Sequence, residues 1–442
     1  MSDLVSQEFN FEVDSEGSEG RCYRAILPSE ASSYSAGSRC IIEIPHTANG
    51  FMNCSNSWLN VSVAFSNLTG TGVANETTAI RLSNIGAYSL ISQLNIVSNS
   101  TGYVQEIRNF QNVMALLLNS NTDQSASMAN SVCTGVPPPD PTGLRLGISQ
   151  TVAGSAIAKQ TFSLPLIGLL SSIKLLPLGF LNDNLSIEVI WASSVRNVLF
   201  SSTAVATNAI TGGDMTITAE YDTDLIVVSD NTMTQVRQAS DINQGIMSWS
   251  DTQIHAVSNS VSIAELNAPT QIYKQTLVGG VKPKQLLQVF HTGFANVGRG
   301  DPYSLYSYWS SEWRLRLGSQ EYPPRFIKSE AQSIASLQDC YNAIAVSLHN
   351  GQANVLTADG GVRPPSTTST ITATKTGVSG YNFTKFYDTE EGIDTVGKQL
   401  ITEVNLKLSP SGATDVSLNA FTFKRFAVIY SISESGEFSV SY

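Results

Sequence analysis

The chain has 442 residues, of which 42% are hydrophobic and only 14% charged, with a formal net charge of −11. That length exceeds one ordinary core and suits two domains of about 200 residues. The charged fraction lies well below the roughly 25% of an average soluble chain, and Ser, Thr, Asn and Gly fill the difference, as in sheets with many turns whose surface packs against neighbours.

Residues 1–20 read as an acidic tail: Asp3, Glu8, Glu12, Asp14, Glu16 and Glu19 precede the first basic residue, Arg21. A segment that grips nucleic acid needs Lys and Arg to neutralise phosphates, so this end argues against direct contact with a genome. It also lacks the apolar run of a secretory signal. Arg39–Ile44 reads as a strand ended by Pro45. Leu59, Val61, Val63 and Phe65 alternate with smaller or polar residues, the mark of a half-buried strand. From Leu94 to Leu118 the pattern changes. Leu94 and Ile96 alternate, Asn99-Ser100-Thr101-Gly102 breaks the run, and Ile107, Phe110, Met114, Leu117 and Leu118 then follow at helical spacing, predicting an amphipathic surface helix. Residues 119–159 are polar and irregular around Val136-Pro137-Pro138-Pro139-Asp140-Pro141, a long loop of the kind that carries function or interfaces.

Leu164–Leu181 is the most apolar stretch. Pro165, Lys174 and Pro177 interrupt it, so it reads as two buried strands joined by a turn rather than as a membrane span. Leu185, Ile187 and Val189 alternate, and Met215–Val228 reads as two short strands around Asp222-Thr223-Asp224. The polar stretch 229–244 reads as a linker. Val261–Leu266, Ile272–Leu277 and Leu286–His291 are predicted strands of a second unit, and an aromatic group (Tyr303, Tyr306, Tyr308, Trp309) leads into the strand Trp313, Leu315, Leu317. After Gly318-Ser319, Ile334, Leu337, Tyr341, Ile344 and Leu348 mark a second helix, with Ser329 and Gln332 at capping-box spacing before it. Residues 350–379 repeat the long polar loop. Leu400–Leu408 alternates, and Phe426–Ile432 with Glu437–Tyr442 reads as a hairpin around Glu434-Ser435-Gly436. Leu94 and Trp313 stand 219 residues apart in a chain whose half-length is 221. The chain therefore reads as two copies of one β-rich unit, each with one helix and one long loop at the same place. Strands at this spacing indicate sandwiches or barrels, eight-stranded jelly rolls among them.

The residues offer little chemistry. There is no phosphate-binding GxxxxGK[ST], no GxSxG elbow and no HExxH. His46, His255, His291 and His349 are scattered. Cys22, Cys40, Cys54, Cys133 and Cys340 are odd in number and contain no CxxC, so neither a disulfide framework nor a zinc site is expected, and no cofactor. Asp388, Glu390, Glu391 and Asp394 form the densest carboxylate group and a candidate calcium site, although the spacing is not that of an EF-hand and a solvated acidic loop is the plainer reading. Arg299-Gly300-Asp301 spells an integrin-binding tripeptide in a turn-like run, a candidate receptor contact whose plainer reading is a Gly-rich turn. The aromatic group ending at Trp313 could stack on sugars, or be core or subunit interface.

Two similar β-rich halves, each a strand, a helix and a long loop, resemble the double jelly-roll major capsid proteins of icosahedral DNA viruses, the lineage of adenovirus hexons, giant-virus capsid proteins and tailless membrane-containing phages. The resemblance is carried by Ser57-Trp58-Leu59-Asn60-Val61-Ser62-Val63, by Leu164-Pro165-Leu166, Leu176-Pro177-Leu178 and Leu185-Ser186-Ile187-Glu188-Val189, and by Trp313-Arg314-Leu315-Arg316-Leu317-Gly318-Ser319 with Tyr322-Pro323-Pro324. It implies an all-β chain of two tandem eight-stranded antiparallel jelly rolls, residues 21–228 and 245–442, that acts as a structural, non-enzymatic subunit of a virion shell. It further implies homotrimeric, pseudo-hexagonal capsomers that meet one another, penton and minor capsid proteins, with the loops 119–159 and 350–379 as towers; the acidic tail agrees with a shell separated from its genome either by an underlying membrane with its membrane proteins or by other proteins. A tandem β-sandwich adhesin or sugar-binding protein is the alternative. A jelly-roll carbohydrate-active enzyme would need two carboxylates facing one cleft, and the sequence shows no obvious pair.

Overall fold

The computed structural model describes residues 21–70, 79–83, 85–121, 132–136, 150–151, 156–201, 210–241, 247–263, 271–277, 282–292, 310–327, 332, 336, 339–340, 378–384, 392–393, 395, 399–406 and 416–442. In the first half the strands are β1 (Arg21–Pro28), β2 (Arg39–Ile44), β3 (Gly50–Gly70), β4 (Ala79–Leu82), β5 (Ile91–Ser98), β6 (Gly102–Arg108), β7 (Gln150–Thr151), β8 (Ile157–Leu164), β9 (Leu175–Leu176), β10 (Leu185–Trp191), β11 (Leu199–Ser201) and β12 (Ile210–Val227). In the second they are β13 (Met247–Ile263), β14 (Gln271–Leu277), β15 (Pro283–Thr292), β16 (Ser310–Leu317), β17 (Gln320–Ile327), β18 (Val378–Asn382), β19 (Leu400–Leu406), β20 (Val416–Ile432) and β21 (Phe438–Ser441).

Each half folds into two four-stranded antiparallel paths. The first half has β1-β12-β3-β8 and β2-β10-β5-β6; the second has β13-β20-β15-β18 and β14-β19-β16-β17. The two orders match strand for strand, the first strand of each half lying beside its last long one. This is an eight-stranded jelly roll, twice. β5 and β16 occupy the same place, and both their first residues (Ile91, Ser310) and their last (Ser98, Leu317) are 219 apart. The repeat legible in the sequence is thus the repeat of the fold. A small sheet β11-β4-β7 is added to the first roll, and β21 pairs with β20 as the predicted hairpin.

Alternation explains the sandwich. In β3, Leu59, Val61, Val63 and Phe65 are buried while the residues between them are half-buried. They meet Ile42, Ile44, Leu94, Ile96, Leu185, Ile187 and Val189 from the other sheet in one apolar cluster. The second roll mixes polarity into its interior. Gln288 Nε2 donates to Thr402 Oγ1 and Thr422 Oγ1, both at 3.2 Å, and Thr422 Oγ1 donates to Gln275 Oε1 at 2.8 Å. Arg314 bridges neighbouring strands, its Nε 2.7 Å from Glu403 and its Nη1 2.7 Å from Glu321, over the Phe326 ring at 4.1 Å. These mutual hydrogen bonds and ion pairs offset the cost of placing amides, hydroxyls and charges there.

The structure corrects four local expectations. Ile107 belongs to β6, and the helix begins at Phe110 and runs to Asn121. This is not a surface helix: Phe110, Val113, Met114, Ala115, Leu116 and Leu117 are all buried, and so are Gln111 and Asn112. Met215–Val228 is not two strands but part of β12, which continues past a bulge between Asp222 and Asp224. Arg24 neutralises both aspartates (2.5 Å and 3.1 Å), and Thr223 turns inward to hydrogen-bond Ser57 at 2.6 Å. Leu164–Leu181 is not two strands either. After β8 comes a helical turn, Leu169–Ser172, then the two-residue β9 and a 3-10 turn, Leu178–Phe180. The stretch 229–244, read as a linker, carries a helix over Asp230–Asp241. Ser229 Oγ accepts from Thr232 N at 3.3 Å as an N-cap, Asp230 sits in the first turn, and Met233 and Val236 pack on Phe51.

Of the second helix, Gln332, Ser336, Asp339 and Cys340 are helical. Cys340 is buried, its carbonyl accepting from Gln285 Nε2 at 3.0 Å. Ile334, Leu337, Tyr341, Ile344 and Leu348, the acidic tail 1–20, and residues 122–131, 137–149, 152–155 and 350–377 of the two long loops lie outside the described residues; the described part of the first loop holds the end of the Phe110–Asn121 helix, β7 and the start of β8.

Candidate assembly site at the seam of the two rolls

Side chains that the sequence singled out for chemistry contribute no site in the described part of the chain. Arg299-Gly300-Asp301 and Asp388, Glu390, Glu391 and Asp394 lie outside the described residues, as do Tyr303, Tyr306, Tyr308 and Trp309. Trp313, the last of the aromatic group, is 2% exposed in the core of the second roll and is closed to a sugar. Among the described residues no group of three or more His, Cys, Asp or Glu could hold a metal, and no helix is long and apolar enough to cross a membrane.

What the fold does build is a seam. On the first roll it is made by β6, the Phe110–Asn121 helix and the Leu169–Ser172 turn, and on the second by β13 and β21. Apolar packing is continuous across it: Phe110, Val113 and Leu117 share one buried cluster with Ala256, Phe423 and Phe426. Directed bonds pin the register. Thr101 Oγ1 donates to Phe438 O at 2.7 Å, and Asn109 Nδ2 donates to Ala256 O at 3.1 Å. Trp249 packs on Tyr430 and Phe438, its ring 5.6 Å and 5.8 Å away, while its Nε1 donates to Ser172 Oγ at 3.3 Å. His255 on β13 stands edge-on to Phe426 at 4.5 Å, and burial, reinforced by Lys424 on β20, pulls its imidazole down to about 4.

At one end of the seam the Ser433–Glu437 turn grips Asn182, whose backbone N–H donates to Gly436 O at 3.1 Å and whose Nδ2 donates to Ser435 O at 3.2 Å. Gly436 has φ +82 and is so close that a Cβ would lie 2.8 Å from Asn182 N and 2.9 Å from Phe180 O. Gly102, the first residue of β6 after its turn from β5, has nearly the same φ, +84, with nothing within 4 Å of a Cβ. Gly102→Ala is therefore expected to cost only the left-handed strain, about 1 kcal/mol. Gly436→Ala should cost about 1 kcal/mol more, because the added carbon pushes the rolls apart. Thermal unfolding of the two variants side by side measures the difference, and equal losses would mean that the turn does not bear on the seam. None of these grips was readable from the sequence. Glu434-Ser435-Gly436 signalled a turn, but nothing signalled that the turn holds Asn182, some 250 residues earlier in the chain.

No protein-family model and no curated protein sequence matches the chain. Solved structures do. A capsid chain of the PBCV-1 virus is similar at 13% identity, covering 98% of this chain and 99% of its own, with a TM-score of 0.60. A chain of the Sputnik virophage is similar at 12% identity and a TM-score of 0.58, covering 100% of this chain and 93% of its own. The mavirus major capsid protein is similar at 11% identity and a TM-score of 0.57, covering 95% and 90%. The fold is the double jelly roll of viral major capsid proteins. Both rolls and the seam lie within the span these comparisons cover, so the likeness is to the whole double jelly roll and not to one sandwich. At such identities it is carried by architecture: burial on alternate residues survives almost any change of sequence that keeps each strand's inner face apolar.

Proposed function

We propose that this chain is the structural major capsid protein of an icosahedral virion, that three copies form a pseudo-hexagonal capsomer, and that capsomers tile the shell. One observation supports this above the others: two rolls of identical strand order are joined side by side by a continuous apolar core, which gives a subunit two equivalent corners and a trimer six. The role is structural, with no catalysis. Partners in this reading are other copies of the chain, neighbouring capsomers, and penton and minor capsid proteins, with either a membrane or other proteins between shell and genome. The acidic residues 1–20 fit a shell that does not hold its genome directly.

Light scattering with negative-stain imaging of the purified protein tests the reading. The expected result is a particle of three times the 47.4 kDa chain mass with a hexagonal outline. A monodisperse monomer at high concentration would overturn it and turn attention to the sugar-binding sandwich.

A further inference from the structure

Where β6 of the first roll faces β13 of the second, the seam contains a pocket of about 40 Å³. Gln105 reaches it from β6 and is 1% exposed. Its Oε1 accepts from Leu169 N at 2.9 Å, which fixes the orientation of the amide and leaves Nε2 as a buried donor with no protein partner. Gly168 makes the approach possible, since a Cβ there would lie 1.8 Å from that nitrogen. Gln253 reaches the pocket from β13 and is 3% exposed. Its Nε2 donates to Tyr430 Oη at 2.5 Å, and its Oε1 is a buried acceptor with no protein partner. Asp251 and Arg425, of opposite charge, line the same pocket.

We propose that this pocket is a built water site, in which water accepts from Gln105 Nε2, donates to Gln253 Oε1 and so ties one roll to the other. The ligand must both accept and donate, because the two buried groups are a donor on one roll and an acceptor on the other. It must be uncharged, because the carboxylate and guanidinium in the lining oppose each other. It must be small: at roughly 10–15 Å³ per water the pocket holds about three. Water meets all three conditions, and a bridge between two fully buried amides is the kind that stays ordered. The seam then carries a polar, directional link in the middle of its apolar packing, which fixes the angle between the rolls where dispersion alone would let them slide.

The test is the wild-type crystal structure at a resolution that shows ordered water, from crystals grown in chloride and again in bromide. The expected result is one to three density peaks, at least one within about 2.7–3.2 Å of both Gln105 Nε2 and Gln253 Oε1, with no anomalous bromide signal. An empty pocket overturns the proposal, and so does a bromide peak, which would make the site an anion site. Gln253→Met removes the acceptor while conserving volume, and should abolish the bridging peak and leave waters elsewhere on the seam in place. Survival of that peak unchanged in the variant would equally overturn the bridge.

Discussion

Trp191→Ala is expected to destabilise the protein by about 3–5 kcal/mol, the cost of deleting a fully buried indole from a core that only partly collapses around the cavity. Trp191 ends β10, the strand at the centre of β2-β10-β5, and is 0% exposed. Its ring lies 6.4 Å from that of Tyr34, and its backbone N–H donates to Ser38 O at 3.0 Å. The change thus leaves the backbone ladder intact and removes packing alone. Because the cluster containing Trp191 extends across the seam to Phe423 and Phe426, both rolls should unfold at the lower midpoint in one transition. Denaturant unfolding followed by far-ultraviolet circular dichroism measures this. A loss below about 1 kcal/mol would mean the sheets of the first roll do not close on this residue. A second transition appearing at the wild-type midpoint would mean the rolls are independent.

Acidification is expected to weaken the protein through His255. Burial is the main cause of its low value of about 4, and the Lys424 cation lowers it further. Arg108 acts in the same direction, and Glu106 opposes them. The sign follows from proton binding. Between the unfolded value near 6.5 and the folded value near 4 the unfolded chain binds the proton and the folded chain does not, so stability rises with pH across that window. The neutral imidazole's contribution is complete above pH 6.5 and is lost as pH falls towards 4, a change of about 3 kcal/mol in all. Carboxylates also titrate at the acid end, so the informative quantity is a difference. His255→Gln, which cannot be protonated there, should show a shallower loss than wild type between pH 6.5 and 4 in parallel denaturant titrations. Identical slopes would show that His255 is solvated in the folded protein. His255 lies beside Ala256, whose carbonyl takes the Asn109 bond across the seam, so the destabilisation should be felt at the roll-to-roll contact.

Much of this architecture is legible in the residues. Period-two alternation at Leu59–Phe65, at Leu185–Val189 and at Trp313–Leu317 marks strands that exist, since a strand with one face on a core must alternate. The 219-residue spacing marks the repeat to the residue. Where the structure departs from the sequence pattern, contacts between distant residues override local spacing or composition. Ile107 continues the helical spacing of Phe110 and Met114, yet pairs with Leu94 across a hairpin. Asp222-Thr223-Asp224 has the composition of a turn, but Arg24 on the adjacent strand removes the repulsion that would have made it one. The Asp230–Asp241 helix carried a readable signal, Ser229 as N-cap with Asp230 following, and its polar composition masked it.

By itself the sequence determined the fold class, the twofold repeat and the absence of familiar catalytic motifs, because these depend on which residues are apolar and at what period, and both are local properties of the chain. Only the tertiary structure decided where the rolls meet and what holds them. The Asn182 grip on Gly436, the Asn109 bond to Ala256 and the pocket lined by both Gln105 and Gln253 bring together residues about 150 to 250 positions apart. A hydrogen bond needs two groups within about 3 Å at a set angle, and nothing in the spacing of residues along a chain encodes that meeting until the sheets have packed.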